Sequence, residues 1–203
     1  MRVIFREINR DLPFSATDEI FDLMSPERRN KIARLESNRQ KNMELYTELT
    51  MIEEAAKDLC VPLDLIKIKK TNEGKPYIEG FENYHISVSH CDGIIMFAGH
   101  SSPIGVDIEK KRNNYIKLAK RFFTTDEYLT IKKAPLPGDE FLLVWTRKEA
   151  CVKLTGQGLK TPLDSFDVYT GTTYIYQTDT YTSNITGEKY VYSTAVIKNG
   201  AKV

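Results

Sequence analysis

Histidine and cysteine are scarce in this 203-residue sequence, at three each, and the scarcity removes whole classes of chemistry. Cys60, Cys91 and Cys151 are odd in number, far apart and without a C-x-x-C pair, so neither a disulfide framework nor a zinc site is expected. With only His85, His90 and His100 to offer nitrogen, a metal here would sit on oxygen ligands. An excess of one charge is also missing. Lys plus Arg number 29 against 28 Asp plus Glu, a net charge of +1, so no global field draws the chain to nucleic acid or to an anionic membrane. Any anion site must be local. No stretch approaches the ~20 apolar residues that span a bilayer. The opening run Met1-Arg2-Val3-Ile4-Phe5-Arg6-Glu7 breaks too early for a signal peptide, which makes the cytoplasm the expected location.

What is present is globular. Hydrophobic residues make up 41% and charged residues 28%, and a chain of this length buries roughly 70% of its unfolded surface. Residues 3–8 read as a strand, and Ser25-Pro26-Glu27 supplies an N-cap, a first-turn proline and an acid for a helix. Leu45, Leu49, Ile52, Ala56 and Leu59 form a helical stripe that ends near Val61-Pro62. Residues 64–70 and 77–78 read as strand, turn, strand, and Cys91-Asp92-Gly93 as a tight hairpin between residues 85–90 and 94–98. After Ser101-Ser102-Pro103, the linker candidate, a strand over 104–108 precedes a helix over 113–123. Thr124 to Glu127 is a capping box for the next helix, Ala134 to Gly138 a loop, and 139–155 a last helix. The Thr-, Tyr- and Val-rich tail from Phe166 to Val196 reads as three short strands. The expected class is α+β, in two halves, 1–103 and 104–203, each a small antiparallel sheet with a long helix. Element order alone allows an internal duplication.

Four groups of residues can carry chemistry. Asp107 and Glu109 lie two apart on a strand, so both carboxylates project from one face, where they share a proton or a cation; an isolated D-x-E also reads as a solvent-facing edge. Trp145, Glu149 and Lys153 share a helix face, with an exposed i,i+4 ion pair as the plainer reading. Gly74-Lys75-Pro76 sets a cation on an open turn, and Ser89-His90 ends a strand beside the hairpin. Arg28 and Lys31 stand in the first turns of a helix, where an anion is favoured, or form a solvated basic face.

Taken in order along the chain, these motifs resemble the 4′-phosphopantetheinyl transferases of the Sfp type, the large monomeric class. The likeness runs through Ser25-Pro26-Glu27-Arg28-Arg29, Gly74-Lys75-Pro76, Ile86-Ser87-Val88-Ser89-His90 and Pro103-Ile104-Gly105-Val106-Asp107-Ile108-Glu109-Lys110. It continues in Arg121-Phe122-Phe123, Trp145 to Lys153, Gly158-Leu159 and Pro162-Leu163-Asp164-Ser165-Phe166. The resemblance implies two similar α+β halves with coenzyme A in a cleft between them. It implies transfer of the phosphopantetheine arm to a serine of an apo acyl or peptidyl carrier protein, releasing adenosine 3′,5′-bisphosphate. Asp107, Glu109 and Glu149 would be the ligands of Mg²⁺, or of Mn²⁺ in its place, and Lys153 would hold the pyrophosphate. Arg28 and Lys31 match positions that bind the 3′-phosphate, and Gly74, Lys75, Pro76, Ser89 and His90 match segments lining the nucleotide. Tyr115, Leu118, Phe122 and Phe123 fall where the family contacts its carrier.

The chemistry agrees, because charge collects on the leaving bisphosphate and fixed cations aimed there lower the barrier. Glu149, or a water it holds, is then the expected base for the serine hydroxyl. In two places the sequence departs from the family pattern. Met43 stands where members carry an arginine, with Arg39 the closest alternative, and the chain stops soon after its last strand, without a C-terminal extension. The rival readings are an inactive relative that binds carrier or nucleotide, and a serine hydrolase using Ser89, His90 and Asp107. The hydrolase is disfavoured because adjacent strand residues point to opposite faces and no G-x-S-x-G elbow exists.

Overall fold

The computed structural model describes residues 1–111, 116–170 and 173–198, with the side chain of Leu159 excepted. The chain forms two compact units, Met1–Ser102 and Pro103–Val203, taken in turn.

The first unit runs β1 (Arg2–Glu7), α1 (Asp18–Leu23), α2 (Pro26–Arg34), α3 (Asn38–Leu59), β2 (Ile68–Lys70), β3 (Pro76–Ile78), β4 (His85–Cys91) and β5 (Ile94–His100). Helix α2 starts as expected, with the Ser25 hydroxyl accepting from Arg28 N at 3.2 Å and Pro26 in the first turn. The apolar stripe of α3 packs Leu45, Leu49, Ile52 and Ala56 against Ile86 and Phe97 of the sheet. Cys60, in the left-handed region at φ 55°, ends the helix. Strands β1, β5 and β4 form one antiparallel sheet in that order, while β2 and β3 pair separately. Asp92 (φ 54°) and Gly93 (φ 94°) make the two-residue turn between β4 and β5, both in the conformation a primed hairpin turn demands. The strand expected over 64–70 is shorter than that: Leu63–Leu65 is a single 3-10 turn, and pairing starts at Ile68.

The second unit runs β6 (Ile104–Lys110), α4 (Ile116–Phe122), α5 (Thr125–Lys133), α6 (Pro137–Thr155), β7 (Tyr174–Thr182) and β8 (Lys189–Ile197), with sheet order β6-β8-β7, all antiparallel. The capping box closes in both directions, Glu127 N donating to Thr124 Oγ1 at 3.2 Å and Thr124 N to Glu127 Oε2 at 3.0 Å. Helix α6 begins two residues earlier than expected, because Pro137 is accommodated at the first helical position rather than breaking the chain. Among the described residues the tail holds two nine-residue strands, not three short ones. The amides of this segment are spent on side-chain carboxylates, two within the turn and one on α5. Tyr169 N and Thr170 N each donate to Asp167 Oδ1 at 2.8 Å, and Val168 N donates to Glu127 Oε1 at 2.9 Å, so no N–H of these three remains for a ladder. Phe123, Ile131, Phe141, Leu142 and Val144 form this unit's core, with Trp145 packed against it. Among the described residues, no helix is long and apolar enough to cross a membrane.

Candidate active site

The site in the second unit begins with a glycine. A side chain at Gly105 would put its Cβ 1.8 Å from Ala150 O and 2.5 Å from Leu154 N, so only glycine lets α6 lie directly on β6. Asp107 and Glu109 follow Gly105 at steps of two and therefore look toward the same helix. Behind them Ala150, Leu154 and Ala195 form a small apolar plug. On β8, Ser193 stands opposite Asp107 and shares a 2.7 Å hydrogen bond with Thr146 of α6, a second tie between sheet and helix.

This seating brings charged groups from two distant segments together. Lys153 Nζ donates to Asp107 Oδ1 at 2.7 Å, and the Asp107 side chain is only 5% exposed. Glu149, one turn before Lys153 and half-buried, feels both. Burial pushes its carboxyl above the usual range, the Asp107 charge pushes it further, and Lys153 offsets part of this. The i,i+4 surface-pair reading is thereby displaced, since Lys153 reaches across to the strand. Trp145 packs on Phe141 at 5.8 Å and Phe123 at 6.1 Å, as core filler. Glu109 is half-buried on the same strand face. Among the described residues no three Asp, Glu, His or Cys side chains converge as a ready metal cage. Two mutually repelling carboxylates do match Mg²⁺, which takes one or two protein carboxylates and completes its shell with phosphate oxygens and water.

The remaining candidates lie in the first unit. Arg28 is not on a solvated face: it is buried, donating through Nε to Glu48 at 2.8 Å and through a second nitrogen to Glu44, both on α3. Lys31, more exposed, pairs with the same Glu44 at 2.6 Å, and these cations hold the Glu44 carboxyl below its ordinary value despite burial. Arg28→Met is therefore expected to destabilise the protein by roughly 2 kcal/mol, by stranding Glu48 in the core. Thermal unfolding checks this.

Gly74, at φ 91°, makes the turn that sets Lys75 ahead of Pro76, and Thr71 clasps the turn, its N–H donating to Lys75 O at 2.9 Å. Burial lowers the pKa of Lys75, and the charge of Lys75, after burial, helps lower that of His85. Ser89 is buried and His90 exposed, on opposite faces of β4, which removes the geometry a Ser-His nucleophile pair needs. Met43 is buried, and Arg39 pairs with Asp11 at 2.5 Å.

Of the carrier-facing residues, Tyr115 lies outside the described residues, while Leu118 (40%) and Phe122 (37%) are exposed. Phe123 is a correction. It is 5% exposed and stacks on Phe141 at 5.3 Å, because the turn from α4 into the cap of α5 directs it into the core. The sequence does not single out Glu44, Glu48 and Lys148, which look like ordinary helix-surface charges until their partners are known, and it marks Glu127 only as the acid of a capping box.

The chain is similar to known proteins along most of its length. The profile of the 4′-phosphopantetheinyl transferase superfamily matches residues 103–195, and that of the 4′-phosphopantetheinyl transferase N-terminal region matches residues 14–102. A 4′-phosphopantetheinyl transferase of Bacillus subtilis is 34% identical over 170 residues, 83% of this chain and 76% of the relative. The 4′-phosphopantetheinyl transferase Sfp of Bacillus subtilis strain 168 is 30% identical over the same shares. The 4′-phosphopantetheinyl transferase gsp of Aneurinibacillus migulanus is 25% identical over 82% of this chain and 70% of the relative. Similarity of this order along most of the chain places the protein in the 4′-phosphopantetheinyl transferase superfamily, as an Sfp-type enzyme.

Proposed function

We propose that this enzyme transfers 4′-phosphopantetheine from coenzyme A to a serine hydroxyl of an apo carrier protein and releases adenosine 3′,5′-bisphosphate. The observation that carries the reading is the Asp107–Lys153 pair beside a Glu149 whose carboxyl is pushed up. Asp107 and Glu149, with Glu109 as third ligand, would hold Mg²⁺, which supplies charge neutralisation on the diphosphate. Lys153 would lend its ammonium to a diphosphate oxygen as negative charge builds on the leaving group. Glu149, directly or through water, takes the serine proton. Lys75, with Gly74 and Pro76 shaping its turn, and Ser89, His90, Arg28 and Lys31 are assigned to the nucleotide and its phosphates. Since Arg28 and Lys31 are already engaged by acids of α3, their contribution is the less direct one.

The exposed apolar side chains of α4, Leu118 and Phe122, joined by Ile116, are assigned to the carrier surface. The two units, with boundaries at residues 103 and 104, are read as a fused duplication. In support, each sheet places its first strand beside its last and its last beside the one before, β1-β5-β4 and β6-β8-β7. One chain then supplies every assigned residue, as a monomer can. Three free thiols suit a reducing cytoplasm.

The test is to incubate the protein with coenzyme A, Mg²⁺ and a set of apo carrier proteins and to weigh the carriers. A phosphopantetheine mass added to one or more, lost when Mg²⁺ is chelated, is the expected result. No added mass across fatty-acid, polyketide and nonribosomal-peptide carriers would leave only a binding protein.

A further inference from the structure

A lysine and a glutamate with no solvent exposure stand in the core of the second unit: Lys148 Nζ and Glu127 Oε2 are 2.9 Å apart, each side chain 0% exposed. The lysine also donates to the carbonyls of Leu163 and Phe166, both at 2.5 Å, and lies 4.3 Å from the centre of the Phe166 ring. Glu127 in turn accepts from Thr124 N at 3.0 Å and Val168 N at 2.9 Å. A buried pair of this kind is poor evidence for stability, since apolar residues of like volume often serve as well. It does supply direction, because three oxygens on two segments fix where one nitrogen can be.

Lys148 immediately precedes Glu149. On an α-helix it projects about 200° round the axis from Ala150, the residue that rests on Gly105. Helix α6 is thus held on its strand side by the Gly105 contact and the Thr146–Ser193 hydrogen bond, and on the other side by Lys148. We infer that the buried Lys148–Glu127 pair, with the Leu163 and Phe166 carbonyls, is a positioning element that sets the rotation and height of α6 so that the Glu149 carboxylate meets Asp107. The inference rests on Glu149 sharing a cation with Asp107, as proposed above. Lys148 touches neither substrate nor cation and acts through Glu149.

The experiment compares wild type with Lys148→Met, the double variant Lys148→Met/Glu127→Gln, Glu149→Gln and Ile131→Val, the last a core truncation one turn from Glu127 on α5 that leaves both charges in place. Each is measured for thermal unfolding, for Mn²⁺ binding by electron paramagnetic resonance without coenzyme A, and for kcat and KM. Lys148→Met is expected to weaken Mn²⁺ binding by about ten-fold, the loss usual when a group supporting a metal ligand is removed, and to lower kcat in parallel. The double variant regains thermal stability over the single one, because no lone carboxylate stays buried, yet does not regain Mn²⁺ affinity. Ile131→Val loses stability with Mn²⁺ affinity intact. Wild-type Mn²⁺ affinity in Lys148→Met, or in the double variant where the single one fails to fold, overturns the positioning role while leaving the site standing. Unchanged Mn²⁺ affinity in Glu149→Gln overturns the assignment of Glu149, and the inference with it.

Discussion

Glu149→Gln is expected to cut phosphopantetheinyl transfer by about 10³-fold, the usual worth of a positioned base, and at the same time to raise thermal stability measured in chelator. The first effect follows from its place beside Asp107 and Lys153. The second follows from the cost of keeping its charge. Burial and the Asp107 charge both raise the Glu149 pKa in the folded protein, and Lys153 only partly offsets them. A carboxyl whose folded pKa exceeds its unfolded one binds more protons when folded, so the protein gains stability as pH falls through that raised pKa and is the poorer for it above. Near neutral pH the neutral amide should therefore unfold at a higher temperature than wild type. The gap should close as the solution is acidified and Glu149 takes up its proton. Paired melting curves across pH check the sign, and equal melting temperatures at every pH would sink the electrostatic account. Transfer retained in the amide would sink the base role.

Gly105→Ala carries the second large effect. Its added Cβ meets backbone on the facing helix, Ala150 O at 1.8 Å and Leu154 N at 2.5 Å, and backbone within a helix cannot swing aside as a side-chain tip can. The helix must lift from the strand. Overpacking of this severity costs about 3 kcal/mol, roughly 6–12 °C in Tm for a chain of this size. Lifting α6 also separates Lys153 and Glu149 from Asp107, and a displacement near 1 Å in a reacting constellation costs about 10²-fold in rate. Circular dichroism melts and carrier-loading rates measured well below Tm check the two parts separately. A stable Gly105→Ala protein with full activity would show that strand and helix need not touch for the site to form.

These two residues mark how far local reading reaches. Asp107, Glu149 and Lys153 come into view as candidates by spacing, because a strand repeats every two residues and a helix turn every three or four, while the family resemblance is what lends them metal and phosphate roles. The Ser25-Pro26 cap, the Thr124–Glu127 box and the Asp92-Gly93 hairpin are equally self-contained, each bond closing within four residues. Where the deciding partner lay further along the chain, pattern was mute. Nothing local separates Phe122, on the surface, from Phe123, stacked on Phe141. Arg28 reads from the sequence as an anion ligand or a solvated cation, and only the fold shows Glu44 and Glu48 flanking it from α3. The third tail strand was lost because Asp167 and Glu127 claim amides that β-propensity alone would assign to a ladder.

What the sequence by itself determined is the set of chemical groups and the elements that carry them, for those depend on neighbours a few bonds away. Tertiary structure decided which charges meet: Lys153 with Asp107, Lys148 with Glu127, Arg28 with two acids of α3. The physical reason is that an ion pair across two elements depends on how closely their backbones approach and at what rotation. Those quantities are set by packing over the whole unit, down to the single missing Cβ of Gly105.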